Sequence, residues 1–153
     1  MSFVMDFSFT TDSPQKTIDL GQQIGSQLKG GEVIALVGPL GSGKTHLIKG
    51  IVKGLGAEDA PNEVTSPTFV LVNEYPCRLD VFHIDAYRIN SIKEFEQIGF
   101  DDYCYSGSVV LIEWADKIEE ALAGVNFIKI ELAHIGPESR SIHIFNAPVY
   151  IRF

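Results

Sequence analysis

The chain of 153 residues has only two cysteines, Cys77 and Cys104, and no C-x-x-C pair. That excludes a disulfide framework and a thiolate zinc site, so both thiols read as reduced intracellular side chains. Cation-forming residues are scarce: 12 Lys and Arg stand against 20 Asp and Glu, a formal net charge of −8 with a pI near 4.9. The broad basic face of a free-standing nucleic-acid binder is therefore not expected. An acidic total suits a soluble protein that docks on a less acidic partner. No apolar run reaches membrane-spanning length, and Met1 to Asp6 lacks the basic and apolar regions of a signal peptide. There is no internal repeat, low-complexity tract or linker. Together these absences lead us to expect a soluble, cytoplasmic protein that forms a single domain over residues 1–153, with 45% hydrophobic content to build its core.

Against this background one motif stands out. Gly38-Pro39-Leu40-Gly41-Ser42-Gly43-Lys44-Thr45 spells G-x-x-x-x-G-K-[ST], the phosphate-binding loop. A triphosphate needs several backbone N–H groups converging on it, and glycine lets the chain curl that tightly and approach that closely. Lys44 supplies a point charge for the β- and γ-phosphates, and the Thr45 hydroxyl suits Mg²⁺. The flanks support the motif. Glu32 to Val37 is an apolar run of buried-strand length, and His46 to Lys53 has helical apolar spacing. Strand, glycine loop and helix N-terminus in that order make an anion site favoured by the helix dipole.

The remaining pattern predicts a three-layer α/β domain around a mixed, mainly parallel central sheet with antiparallel C-terminal strands. Val4 to Phe9 alternates as a strand, and Ser13-Pro14 reads as the start of a helix running to about Leu28. Thr68 to Tyr75 and Leu79 to Asp85 read as an antiparallel pair. Ser91 to Glu94 has capping-box spacing and opens a short helix to about Ile98. Ser108 to Trp114 is expected as a buried parallel strand, and Asp116 to Ala123 as a helix. Phe127 to Leu132, Ser141 to Phe145 and Val149 to Phe153 alternate as three antiparallel strands.

Hydrolysis requires more than a phosphate cradle: a metal partner and a group that places water. Glu113 ends the run Val109-Val110-Leu111-Ile112, which puts its carboxylate at the carboxyl edge of a parallel sheet, beside the loop; the alternative is a solvated strand-end charge. Asp85 closes Val81-Phe82-His83-Ile84 and is expected at the same edge, to hold the metal or orient water, unless it merely pairs with Arg88. Thr65-Ser66-Pro67-Thr68 lies where a γ-phosphate sensor would fall, or is an ordinary lead-in to a strand. Trp114 reads most simply as packing, and His83, inside an apolar strand, as a satisfied core histidine. Cys104 is assigned no role.

These pieces together resemble the TsaE (YjeE) family of bacterial P-loop ATPases. The matching stretches are the loop itself, Ser66-Pro67-Thr68-Phe69, His83-Ile84-Asp85-Ala86-Tyr87-Arg88 and Ile112-Glu113-Trp114-Ala115-Asp116; Tyr75, Gly99 and Asp102-Tyr103 also fit. The likeness spans about residues 10 to 145. It implies the P-loop nucleoside triphosphate hydrolase fold and an Mg²⁺-dependent ATPase needed for N6-threonylcarbamoyladenosine at position 37 of tRNA. It further implies docking on a TsaD-type transferase and its TsaB-type paralogue, with tRNA met only through that complex. By resemblance, Lys44 and the loop from Gly38 through Leu40, Gly41, Ser42, Gly43 and Thr45 to His46 bind ATP, while Thr45 and Glu113 hold Mg²⁺. Asp85, Glu113 and Lys44 are the catalytic set, Ser66 to Phe69 form a nucleotide-sensitive switch, and Thr11 and Arg140 approach the nucleotide. The chain departs from the family pattern at Pro39, Ser42 and His46, and at Pro137, where an arginine is frequent. His46 puts an imidazole near the α-phosphate in place of a hydroxyl.

Two rival readings remain. One is a small-molecule kinase on the same loop, which four arginines (Arg78, Arg88, Arg140, Arg152) serve poorly for a lid. The other is a nucleotide-gated docking module in which binding rather than hydrolysis is the working event. A GTPase is disfavoured because no N-K-x-D base-reading motif is present.

Overall fold

The computed structural model describes residues 4–57 and 72–153. Ser66, Pro67, Thr68 and Phe69, with the start of the strand expected from Thr68, lie outside the described residues. The elements in chain order are β1 (Val4–Thr11), α1 (Pro14–Gln27), β2 (Val33–Val37), α2 (Lys44–Gly54), β3 (Val72–Pro76), β4 (Asp80–Asp85), α3 (Ile92–Gln97), α4 (Phe100–Tyr103) and β5 (Ser108–Glu113). A 3₁₀ helix (Ala115–Leu122), β6 (Ile128–His134) and β7 (Arg140–Pro148) complete them. Side-chain caps account for the starts of α1 and α3. Ser13 Oγ accepts from Lys16 N at 3.2 Å with Pro14 in the first turn of α1, and Ser91 Oγ accepts from Glu94 N at 3.1 Å at the start of α3.

Among the described residues the strands form one seven-stranded sheet in the order β1-β7-β6-β2-β5-β4-β3. Its centre, β6-β2-β5-β4, is parallel, while β3, β7 and β1 are added antiparallel at the two sides. The period-two pleat divides the core. Ile34, Leu36, Val109 and Leu111 face α1 and α2, whereas Val33, Ala35, Val110 and Ile112 face α3, α4 and the 3₁₀ helix. β5 is buried along its whole length because both faces are covered.

Two expectations are corrected. Val149 to Phe153 is not a strand, because β1 already occupies the outer side of β7. The segment is pinned instead by Gln27, whose amide donates to Arg152 O at 2.7 Å and accepts from Arg152 N at 2.7 Å. Of the three apolar residues that alternate in it only Ile151 tucks into the core, while Val149 and Phe153 stay exposed, so the period-two pattern does not mark one buried face. The segment 116–123 is a kinked 3₁₀ helix, with Ile118 at non-helical φ/ψ.

Helices α1 and α2 pack main chain against main chain. Gly21 and Gly25 of α1 meet Gly50 and Gly54 of α2 so closely that a Cβ on Gly25 would collide with the carbonyl oxygen of Ile51, and one on Gly50 with that of Ile18. The obstacle is backbone, which cannot step aside as a side chain can. Gly25→Ala and Gly50→Ala should therefore destabilise the fold by about 1–3 kcal/mol despite the better helix propensity of alanine. Urea unfolding should give a lower midpoint with an unchanged slope.

Candidate functional site

β2 and the first turn of α2 are joined by residues 38–43. Gly43 precedes the helix at φ 100°, a left-handed conformation that a side chain would strain, and it aims the first turn of α2 back across the carboxyl ends of the parallel strands. There the loop residues 40–46, with Asp85, Tyr87, Glu113 and Trp114, line a cavity of about 310 Å³. That volume lies at the small end of the roughly 300–1,000 Å³ range of ligand sites. The loop is braced from behind by the β6–β7 hairpin. His134 Nε2 donates to Leu40 O at 3.3 Å and Arg140 Nη2 to Gly41 O at 3.1 Å. Arg140 Nη1 meanwhile donates to Gly136 O at 3.2 Å and Ser139 O at 2.9 Å, so this guanidinium ties the hairpin turn to the loop.

Parallel register brings the carboxylates together. Asp85 pairs with Glu113 in the β4–β5 ladder, at the end of both strands and on the face that carries α2. Asp85 accepts from Tyr87 N at 2.9 Å. Burial pushes its carboxyl above the usual range, Glu113 adds to that, and the Tyr87 amide, His83 and Lys44 oppose it. Glu113 is only 2% exposed, which removes the solvated strand-end alternative. Its Oε2 accepts from His83 Nε2 at 2.7 Å.

Lys44 is almost wholly buried. Its ammonium donates to Gly38 O and, at 3.0 Å, to Pro39 O, and sits 4.0 Å from the centroid of the Trp114 ring. Burial lowers its pKa, and the charges of Glu113, Asp85 and Asp116 work the other way. Trp114 itself has φ 58°, uncommon for a bulky residue, and this sharp turn out of β5 swings the indole over Lys44. Tyr87 packs on Trp114 at 4.9 Å between centroids and carries Lys117 on its ring at 5.1 Å. Two lysines thus flank an aromatic pair.

Of the residues singled out from sequence, Leu40, Gly41, Ser42, Gly43, Lys44, Thr45, His46, Asp85 and Glu113 converge on the cavity. Gly38 sits just behind it, its carbonyl taken by Lys44. Thr11 and Arg140 are not among the lining residues. They face each other across the β1–β7 ladder, with Thr11 Oγ1 2.7 Å from Thr17 Oγ1. His46 has its pKa lowered by burial and by Lys49 and Arg140. Tyr87 and the Lys44–Trp114 contact were not anticipated. The signal for Tyr87 lay two residues beyond Asp85, where the strand ends and the chain must turn into the cavity wall.

The donor set is one of hard oxygens, the Thr45 hydroxyl and the Glu113 carboxylate, with one lysine ammonium. Among the described residues no group of three or more His, Cys, Asp or Glu side chains forms a cage for a metal ion. Few protein oxygens suit Mg²⁺, which keeps waters and takes substrate phosphates as ligands. Ser42 Oγ, buried within the loop beside Gly38, has no hydrogen-bond partner among the described residues, an orphan polar group in a loop whose backbone suits an anion.

An α/β protein with a glycine loop at the carboxyl ends of parallel strands has its ligand site where that architecture places it. Comparison with known proteins is consistent and more specific. The family described as "Threonylcarbamoyl adenosine biosynthesis protein TsaE" matches residues 11–142, and the chain belongs to that family. It is 39% identical over 110 residues to the tRNA threonylcarbamoyladenosine biosynthesis protein TsaE of Treponema pallidum, covering 72% of this chain and 79% of that protein. It is 36% identical over 133 residues to the Bacillus subtilis protein of the same name, covering 86% and 80%. The crystal structure of Bacillus subtilis YdiB superposes with a TM-score of 0.75 at 29% identity, covering 99% of this chain and 92% of that one. No described helix is long and apolar enough to cross a membrane.

The charges in the cavity make a signed prediction. Carboxyl NMR titration should show the Asp85 pKa rising further in Lys44→Met, which removes a stabilising cation, and falling in Glu113→Gln, which removes a repelling anion.

Proposed function

We propose that this chain is a P-loop ATPase that serves the threonylcarbamoyladenosine modification of tRNA. The observation that carries the reading is the convergence of Lys44, Thr45, Asp85 and Glu113 on one cavity behind a glycine loop. The main-chain amides of the loop and Lys44 grip the triphosphate, for which the ammonium exchanges its present carbonyl partners for phosphate oxygens. Thr45 and Glu113 would hold the metal. When bound, Mg²⁺ supplies charge neutralisation on the phosphates.

Asp85 stands on the same rim and orients the attacking water. The water oxygen adds to the γ-phosphorus, the bond to the bridging oxygen breaks, and ADP and phosphate leave, with the proton passing through the carboxylate to solvent. Asp85 has its pKa raised by burial, so it is a better proton acceptor than an exposed carboxylate. No arginine lines the cavity among the described residues. Since an arginine finger is worth roughly 10³–10⁵ in rate, the isolated chain turns over slowly. Family membership supports a TsaD-type transferase with its TsaB-type paralogue as the docking partners, with tRNA reached through them.

Calorimetry with ATP and Mg²⁺ should give saturable binding. Lys44→Ala should weaken it about 10- to 100-fold, the loss of a charged hydrogen-bonding group. Asp85→Asn should keep the affinity and lower hydrolysis by about 10²-fold or more. Depleting the protein in its host should lower threonylcarbamoyladenosine in tRNA by mass spectrometry. An unchanged level would remove the biological assignment, and modification restored in full by Asp85→Asn would make binding rather than hydrolysis the working event.

A further inference from the structure

His83 is fully buried in β4, and a strand so placed is served as well by an aliphatic side chain. The imidazole instead ties together three strands. Its Nε2 lies 2.7 Å from Glu113 Oε2 on β5 and its Nδ1 3.1 Å from the Tyr75 hydroxyl on β3, to which Asn73 Nδ2 donates at 3.4 Å. Register explains how they meet. Asn73 pairs with His83 and Tyr75 with Val81, so 73, 75, 83, 85 and 113 project from one face of the sheet, the face carrying the cavity.

A carboxylate only accepts, so Nε2 carries the hydrogen that goes to Glu113. The Tyr75 hydroxyl meets the other ring nitrogen, so both nitrogens are engaged and the contacts link Asn73, Tyr75, His83 and Glu113 in one line. Such a line fixes the ring angle and, through it, the plane of the carboxylate before any ligand arrives.

We infer that His83, itself held by Tyr75, is a positioning residue: it fixes Glu113 in the orientation in which the carboxylate takes the divalent cation that accompanies the nucleotide. The inference rests on the nucleotide reading above and assigns His83 no contact with substrate. Its loss is expected to weaken cation binding without touching the phosphate grip of the loop.

The test is calorimetric titration of the full chain with a non-hydrolysable ATP analogue, without metal and over a range of Mg²⁺. His83→Asn keeps a group near Nδ1 but loses the donor to Glu113, whereas His83→Gln places an amide N–H where Nε2 stood. His83→Asn should raise the Mg²⁺ concentration for half-maximal effect by about 10- to 100-fold, with metal-free affinity unchanged. His83→Gln should restore most of that loss, and Tyr75→Phe should show a smaller rise. An unshifted midpoint in His83→Asn overturns the inference. So does an equal loss of metal-free binding in His83→Asn and His83→Gln, which marks plain packing. If His83→Asn does not fold, Tyr75→Phe decides alone, and an unshifted midpoint there is fatal. If the wild-type chain binds no nucleotide, the ATPase reading falls and this inference with it; if wild type responds to Mg²⁺ and the variants respond identically, only the inference falls.

Discussion

Burial of the Glu113 carboxylate is the constraint around which the site is arranged. An ionised group taken out of water costs several kcal/mol unless it is paired and hydrogen-bonded. Here it lies at the end of a strand buried on both faces, with a hydrogen bond from His83 and the positive field of Lys44. The pairing extends outward. Lys44 is held by loop carbonyls and the Trp114 ring, and Asp85, next in register, is tuned by the same charges. Removing Lys44 leaves two neighbouring carboxylates without their cation, whereas removing either carboxylate relieves the other, so the cluster is coupled with a sign that depends on the partner.

What could be read in advance follows from how local each signal is. The β2–loop–α2 unit is contiguous in sequence and carries its own composition, so both its geometry and its candidate residues were legible. β5 announced itself as an uninterrupted apolar run, and its length fixed the edge at which Glu113 appears. By contrast, β1 pairs with β7 across more than a hundred residues, and nothing near Val149 to Phe153 reveals that the slot beside β7 is already filled. The 3₁₀ character of Ala115–Leu122 depends on the left-handed turn at Trp114, which propensity does not encode.

The site shows the same division. That Lys44, Asp85 and Glu113 share a cavity is implied by strand ends and parallel order. That His83 reaches Glu113 depends on register between two strands joined by a long connection, and a lone histidine in an apolar run reads as core until that register is known. Arg140 and Thr11 meet each other across the β1–β7 ladder, a pairing that no local pattern reveals. Arg140 bonds to the Gly41 carbonyl of the loop and bears on His46, yet it is not among the residues that line the cavity.

The glycine seam between α1 and α2 has a mechanical consequence. Two helices whose main chains touch have no layer of side chains along which to slip, so the helix whose first turn presents Lys44 and Thr45 is anchored directly on the backbone of α1. The facing wall is built differently, from an indole and a phenol ring hung on a tight left-handed bend and a kinked helix. The two walls of the cleft thus differ in kind: one rests on main chain against main chain, the other on rings carried by a single bend.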